Sequence, residues 1–406
     1  MKPLRDLRVI DLSRILAGPW CAQTLADMGA DVIKVERAGA GDDARGWGPP
    51  FVKDANGENI DATYFHAANR GKRSIAIDFD NPADLDVVRR LIAGADVVIE
   101  NFKVGGLKKY GLDHETLTAA YPRLVYCSVT GFGQTGPYAK RPGYDAMIQA
   151  IGGLMHITGN PDGEPTKVGL PLADIMTGIY ATVGVLAAIL NRNATGKGAY
   201  IDMSLLDVQV GVLANQGLSH LIAGLEPSRL GNAHPNLVPY QVFPTSDGEM
   251  MIAVGNDEQY RRLCGVLDAA DLATSPDFLR NADRVKNRER LIVLLSGLTA
   301  RHKKADLQRE IEAAGIPAGP INSISEVFAD PQVRHRGMRV DLPYPDGANG
   351  TVPAIRTPVL MNGEPCVAQR ASPRLGQHTQ EILDELAEAT RDLPEAAPRA
   401  AGRHGT

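Results

Sequence analysis

The chain has 406 residues, with 44% hydrophobic and 22% charged side chains, as expected of a soluble globular protein of two or three domains. Its net charge of −5, from 43 basic and 48 acidic residues, leaves no basic excess for neutralising nucleic-acid phosphates. The four cysteines (Cys21, Cys127, Cys264, Cys366) are far apart and lack CxxC spacing, so they read as reduced, packed thiols rather than a disulfide framework or a zinc site. No hydrophobic leader follows Met1, which makes a cytoplasmic protein the expectation.

The first elements in chain order are a strand at Leu7–Leu12, an apolar-faced helix from Trp20 to Met28 and a strand at Ala30–Glu36. A strand at Ser74–Asp78, a helix over Ala83–Ala93, a strand at Ala95–Glu100, a helix near His114–Ala120 and a strand at Leu124–Val129 continue the alternation. This order predicts an α/β fold: a large Rossmann-like parallel-sheet domain with helices on both faces and its ligand site at the strand ends. The strand ends carry Ser13-Arg14, Glu36-Arg37, Asn101-Phe102-Lys103 and Thr130-Gly131-Phe132-Gly133.

A dinucleotide site would need three glycines after the first strand. Ser13–Trp20 contains one, Gly18, and Pro19 removes a backbone N–H; no GxxxxGK[ST] loop is present either. The run Asn69-Arg70-Gly71-Lys72-Arg73-Ser74 reads either as a solvated basic loop or as a contact for the phosphates of a large anionic ligand. Arg37, Lys103, Lys108 and Lys109 add cations after neighbouring strands. Gly131–Pro137 offers close backbone approach to a ligand, and Arg141-Pro142-Gly143-Tyr144-Asp145 follows it.

Asp174 is the only Asp, Glu, Lys, Arg or His in the 24 residues from Val168 to Asn191, and it directly precedes the 16-residue apolar run Ile175–Leu190. That run is too short for a membrane span and predicts a buried helix. At its start Asp174 reads as an N-cap, or as a nucleophile that attacks an activated acyl group beside the helix N–H groups. A turn at Asn193–Gly198, a strand at Tyr200–Met203 and a long helix from Leu205 follow. Proline-rich Leu225–Tyr240 predicts a linker. A second unit then runs from about Gln241 to Ala318, with strands near Val242-Phe243 and Met250–Val254 and helices at Gln259–Leu267 and Arg288–Thr299. Pro343–Pro365 predicts β structure and loops, and Thr379–Ala387 a helix.

Taken together, these residues resemble the class III coenzyme A transferases, the group that also contains formyl-CoA transferase, carnitine CoA-transferase and α-methylacyl-CoA racemase. The likeness is carried by Leu7–Trp20 with Ala17-Gly18-Pro19, Leu25–Glu36, Gly41-Asp42, Arg45-Gly46-Trp47, Asn69–Ile75, Glu100-Asn101-Phe102, Gly131–Gln134, Asp174, Gly315–Pro320 and Leu375–Thr379. It implies a large CoA-binding domain from 1–225 and 326–390, a smaller inserted α+β domain at 226–325, a flexible tail at 391–406 and an interlocked homodimer. It also implies that Asp174 is the nucleophile, passing through an aspartyl anhydride and an aspartyl-CoA thioester. Because thioester energy is conserved, the resemblance implies no prosthetic group and no metal; CoA thioesters are substrates.

By the same likeness the CoA site comprises Leu16, Ala17, Arg37, Ile77, Asp78, Phe79, Asp80, Asn101, Phe102, Lys103, Lys109, Tyr144 and Asp145. Lys109 stands where formyl-CoA transferase has an arginine, exchanging a bidentate phosphate contact for a point charge. The racemase branch pairs its aspartate with histidine in a Gly-His-Asp motif. This chain has Gly143-Tyr144-Asp145, and a phenol is a poor acid–base partner near neutrality, which favours transferase over racemase. A non-catalytic acyl-CoA-binding protein is the third reading. No glycine-rich run lies between Gly231 and Gly255 to match formyl-CoA transferase, whereas His234–Gln241, Thr245–Gly248 and Phe328–Val333 resemble the succinyl-CoA:glutarate and related dicarboxylate enzymes. A succinyl-CoA donor and a dicarboxylate acceptor such as glutarate are therefore expected. Arg229, His234 and Asn236 are candidates for the distal carboxylate, although a solvated linker explains them almost as well.

Overall fold

A computed structural model describes residues 1–391, so the expected tail at 391–406 lies, apart from Arg391, outside the described residues. Two compact units are present. The first comprises Met1–Gly152, Gly169–Ala214 and the chain from Gly337 onward; the second comprises Gly153–Val168 and Asn215–Arg336. The smaller region expected at 226–325 falls inside the second unit.

The first unit is built on six strands: β1 (Arg8–Asp11), β2 (Asp31–Arg37), β3 (Arg73–Ile77), β4 (Val97–Glu100), β5 (Val125–Thr130) and β6 (Ala199–Ser204). They pair in the order β3-β2-β1-β4-β5-β6, and every pairing is parallel. Side chains alternate across the sheet with period two, so each strand supplies two cores. Val9, Val97, Ile99, Val125 and Cys127 pack on one face against α1 (Ala17–Asp27), α4 (Asp145–Ile151), α5 (Leu172–Thr195) and α6 (Leu205–Gly211). Ile10, Ile33, Val98 and Tyr126 pack on the other against α2 (Pro82–Ala93), α3 (His114–Ala120) and the C-terminal helix Thr379–Arg391.

Helix α1 starts three residues before the expected Trp20, with Pro19 in its first turn, where the missing N–H would have no helical partner in any case. Helix α5 has 24 residues, longer than the apolar run, because Leu172–Asp174 and Asn191–Thr195 join it. By length and composition it could cross a membrane, yet Ala173, Thr177, Gly178, Ala181 and Val185 are buried against the rest of the unit. Gly178 allows this packing, since a Cβ there would lie 2.7 Å from the Ala17 carbonyl oxygen and 2.8 Å from Trp20 Cβ. The long helix expected from Leu205 ends at Gly211. A separate helix, Ala214–Ala223, begins at a residue with φ +47°, where the chain passes into the second unit.

The second unit contains an antiparallel sheet of Ala318–Pro320, Gly248–Ala253 and Tyr240–Thr245. Helices Asp257–Val266, Arg288–Thr299 and Lys304–Ala313 accompany it, with a core that includes Phe243, Ile252, Tyr260, Leu263 and Leu291.

Candidate active site

The loops after β1 and β4 lie where the strand order reverses, the usual ligand position in such sheets. They are stitched together by Asn101, whose Oδ1 accepts from the Arg14 N–H at 2.8 Å while its Nδ2 donates to the Arg14 carbonyl at 2.7 Å. Ile15 then adopts φ +72°, an unfavourable conformation for a β-branched residue. The Asp42 carboxylate holds it there by accepting the Ile15 N–H at 3.1 Å. This turn delivers Leu16 and Ala17, both buried, to the head of α1.

A buried charge network underlies the turn. Lys34 is fully buried within the apolar strand β2, 2.9 Å from Asp42 Oδ2, and donates to the Ser13 carbonyl at 2.9 Å. Lys72 is equally buried and donates to Asp11 Oδ2 (2.8 Å), Asn69 Oδ1 (2.8 Å) and the Pro19 carbonyl (3.0 Å). Burial pushes the Asp11 carboxyl up, but Lys72 and Lys34 outweigh it and hold Asp11 below the ordinary range. Alongside, Glu36 accepts from Arg45 at 2.7 Å and from Ser74 Oγ at 2.7 Å, and Arg45 also reaches Asp61 at 2.9 Å.

This corrects both readings of Asn69–Ser74. Its three cations are neither solvated nor directed at a phosphate: Lys72 is bound to Asp11, Arg70 to Asp27, and Arg73 to Asp31 and Glu381. Sequence reasoning passed over Asp11 and Lys34 as members of the site. The available signal was Lys34, a lysine amid the apolar residues of a central parallel strand, where an unpaired charge is prohibitively costly.

The other expected CoA residues cluster at the same sheet edge. Phe79, after β3, meets Phe102, after β4, with ring centroids 6.0 Å apart, and meets Tyr110 at 5.3 Å. Asp80 accepts from the Tyr110 hydroxyl at 3.1 Å and lies 3.9 Å from Lys109 Nζ. Ile77 is buried, Asp78 accepts the Asp80 N–H at 3.0 Å, and Arg37 and Lys103 are exposed. Arg229, His234 and Asn236 belong to the second unit and serve its local structure. Arg229 donates to the Asn160 carbonyl at 3.3 Å, His234 Nδ1 accepts the Asn236 N–H at 3.0 Å, and the Asn236 carbonyl accepts from Asn281 at 2.8 Å.

Asp174 is the third residue of α5, not its N-cap; that position belongs to Pro171. The capping acceptor comes instead from another helix, as Asp145 Oδ1 accepts the Asp174 backbone N–H at 3.2 Å. Two crossing backbones bring Asp145 there: a Cβ on Gly131 would lie 2.6 Å from Gly143 Cα, so only glycines permit the crossing. Tyr144 turns outward and is 64% exposed.

Burial, and then the Asp145 charge, raise the Asp174 carboxyl to about 7. The helix N-terminus pulls the other way, but its ~0.3–1 kcal/mol corresponds to less than about one pH unit, so burial and like charge prevail. Tyr64, a residue sequence reasoning overlooked, joins the same field. Burial and the charges of Asp174, Asp145 and Asp42 push its hydroxyl up to about 12, keeping it a donor. A half-buried carboxylate of raised basicity at a helix N-terminus is equipped to attack an acyl carbon.

Comparison with known proteins identifies the family. The profile of CoA-transferase family III matches residues 4–379. A succinate–glutarate CoA-transferase of Agrobacterium fabrum is 54% identical over 384 residues, 95% of this chain and 96% of the relative. The human succinyl-CoA:glutarate CoA-transferase is 41% identical, covering 95% of this chain and 86% of its own. Among solved structures, a CAIB/BAIF family protein from Brucella suis superposes with a TM-score of 0.84 at 52% identity, covering 95% of this chain and 99% of that one. With its six-stranded parallel sheet and Asp174 at the head of α5, the chain belongs to CoA-transferase family III.

Proposed function

We propose that the protein moves CoA from succinyl-CoA to a dicarboxylate of the glutarate class through covalent intermediates on Asp174. The observation that carries this reading is the basic, half-buried Asp174 carboxylate at the α5 N-terminus, in a chain 54% identical to a succinate–glutarate CoA-transferase. Asp174 attacks the donor thioester carbonyl; an O–C bond forms, the C–S bond breaks and sulfur leaves as thiolate. The thiolate attacks the aspartyl carbonyl of the anhydride, releasing succinate and leaving an aspartyl-CoA thioester. The acceptor carboxylate repeats the sequence in reverse and departs as acyl-CoA. No proton transfer is required, in keeping with the outward-facing Tyr144 where the racemase motif has histidine.

The loops after β1, β3 and β4 and the end of β2 are assigned to CoA: Leu16 and Ala17 at the turn, Phe79 and Phe102 as an aromatic platform, Arg37, Lys103 and Lys109 toward phosphates. Transfer of labelled CoA from succinyl-CoA across a panel of mono- and dicarboxylic acids tests the substrate class. Glutarate and similar diacids are expected to be preferred by at least about tenfold, a difference worth ~1.4 kcal/mol. A preference for monocarboxylates would refute it.

A homodimer is proposed as the working form. The solvent side of α5 exposes Ile179, Tyr180, Val183 and Leu190 at helical spacing, an apolar stripe unusual on a free surface. A monomer in dilute native mass spectrometry would contradict it. A cytoplasmic location fits the four buried, unpaired cysteines.

A further inference from the structure

Asp145 is placed more firmly than a helix cap requires. Its Oδ1 accepts the Asp174 N–H at 3.2 Å, and its Oδ2 accepts from Gln149 Nε2 at 2.7 Å. Gln149 is wholly buried and also reaches the Leu170 carbonyl at 3.4 Å, tying α4 to the segment that enters α5. The Gly131–Gly143 crossing fixes the chain just ahead of Asp145. Among the described residues no cation forms an ion pair with Asp145 or Asp174. The elements around the pair supply no compensating charge: α1 is uncharged until Asp27, α6 contributes the exposed Asp207, and the helix Thr63–His66 contributes the Tyr64 phenol and His66, whose imidazole burial and then Arg45 hold down to about 4. The two buried lysines of the network, Lys34 and Lys72, are committed to Asp42 and Asp11.

From this geometry we infer that Asp145 is a positioning residue that drives acylation, a fixed negative charge held by Gln149 against Asp174 so that the free carboxylate is the destabilised form of the nucleophile. The inference rests on Asp174 being the acyl-accepting group. In the first step the negative charge leaves Asp174 for the CoA sulfur as the O–C bond forms and the C–S bond breaks. Both the anhydride and the aspartyl thioester are neutral at position 174, so Asp145 penalises the free enzyme and spares the intermediates. The raised basicity of Asp174 follows from the same arrangement, after burial. Asp145 thereby tilts the internal equilibrium toward the covalently loaded enzyme without touching substrate.

Asp145→Asn keeps the acceptor for the Asp174 N–H and removes only the charge, and Asp145→Ser serves the same end with a smaller side chain. Each full-length variant is incubated with succinyl-CoA, and the adduct at Asp174 is trapped with hydroxylamine and measured by peptide mass spectrometry across pH. Loss of the charge is expected to lower the acid limb of the exchange rate by about one pH unit and the loaded fraction about tenfold. Asp145→Glu, which retains the charge, is expected to hold the limb near its wild-type position. A purely structural cap would lower yield or melting temperature and leave both readouts in place, and that result in the asparagine or serine variant would overturn the inference. Failure to trap any adduct in the wild-type enzyme would instead remove the assignment of Asp174, and with it this proposal.

Discussion

Asp174→Asn is expected to lower CoA exchange by about 10⁴-fold or more, because no second group can form the anhydride. The same substitution is expected to raise stability. The Asp174 carboxyl titrates higher in the folded chain, at about 7, than at its ordinary value of 3.8. Its favourable contribution is therefore present at low pH and lost as pH rises through about 7, where the folded chain must carry an ionised carboxylate against Asp145. Asparagine is neutral throughout. The variant should melt above wild type at about pH 8.5, with the gap narrowing toward about pH 5. Exchange rates and melting curves at the two pH values check both halves. An active variant would remove Asp174 as the nucleophile, and one less stable at high pH would show that its ionised carboxylate supports the fold.

Lys72→Met is expected to cost about 3–5 kcal/mol, since it leaves Asp11 buried without its partner. That is a third or more of the stability of many domains. The damage should also reach the catalytic edge, because Lys72 binds the Pro19 carbonyl and Asp11 accepts the Ser13 N–H at 3.0 Å, both within the turn that presents Leu16 and Ala17. Adding Asp11→Asn to Lys72→Met should recover part of the loss, since the second change removes the stranded charge. Denaturant unfolding of the two single variants and the double variant measures the coupling. A Lys72→Met protein as stable as wild type, or strict additivity in the double variant, would show that the pair is not the support described here.

Much of the fold is legible in the sequence because alternation and burial agree. Residues such as Val9 and Ile10, or Ile99 and Val98, are apolar on both parities, as a strand covered on both faces demands, and the intervening helices have conventional spacing. Asp174 is legible because a lone carboxylate beside a long apolar run stands out, and the family resemblance gives it a role. Its capping arrangement is not legible, since the acceptor lies 29 residues away on α4 and arrives through a crossing of two glycine backbones. The meaning of Asn69–Ser74 is hidden for a similar reason. A run of cations looks the same whether it faces water or a buried carboxylate, and only the β2–β3 pairing and the turn after β1 bring Asp11, Asp27 and Asp31 to meet it. The break between the helix ending at Gly211 and the one starting at Ala214, a residue of positive φ, is likewise not foretold by the apolar pattern around it.

Covalent trapping tests the central claim most directly. The wild-type enzyme is incubated with succinyl-CoA without acceptor, reduced with borohydride, digested and mapped by mass spectrometry. The account predicts that the Asp174 side chain alone is converted to the alcohol, and that the modification disappears when acceptor is added before the reductant. An unmodified Asp174 in an enzyme that still exchanges CoA, or modification at another carboxylate, would contradict it.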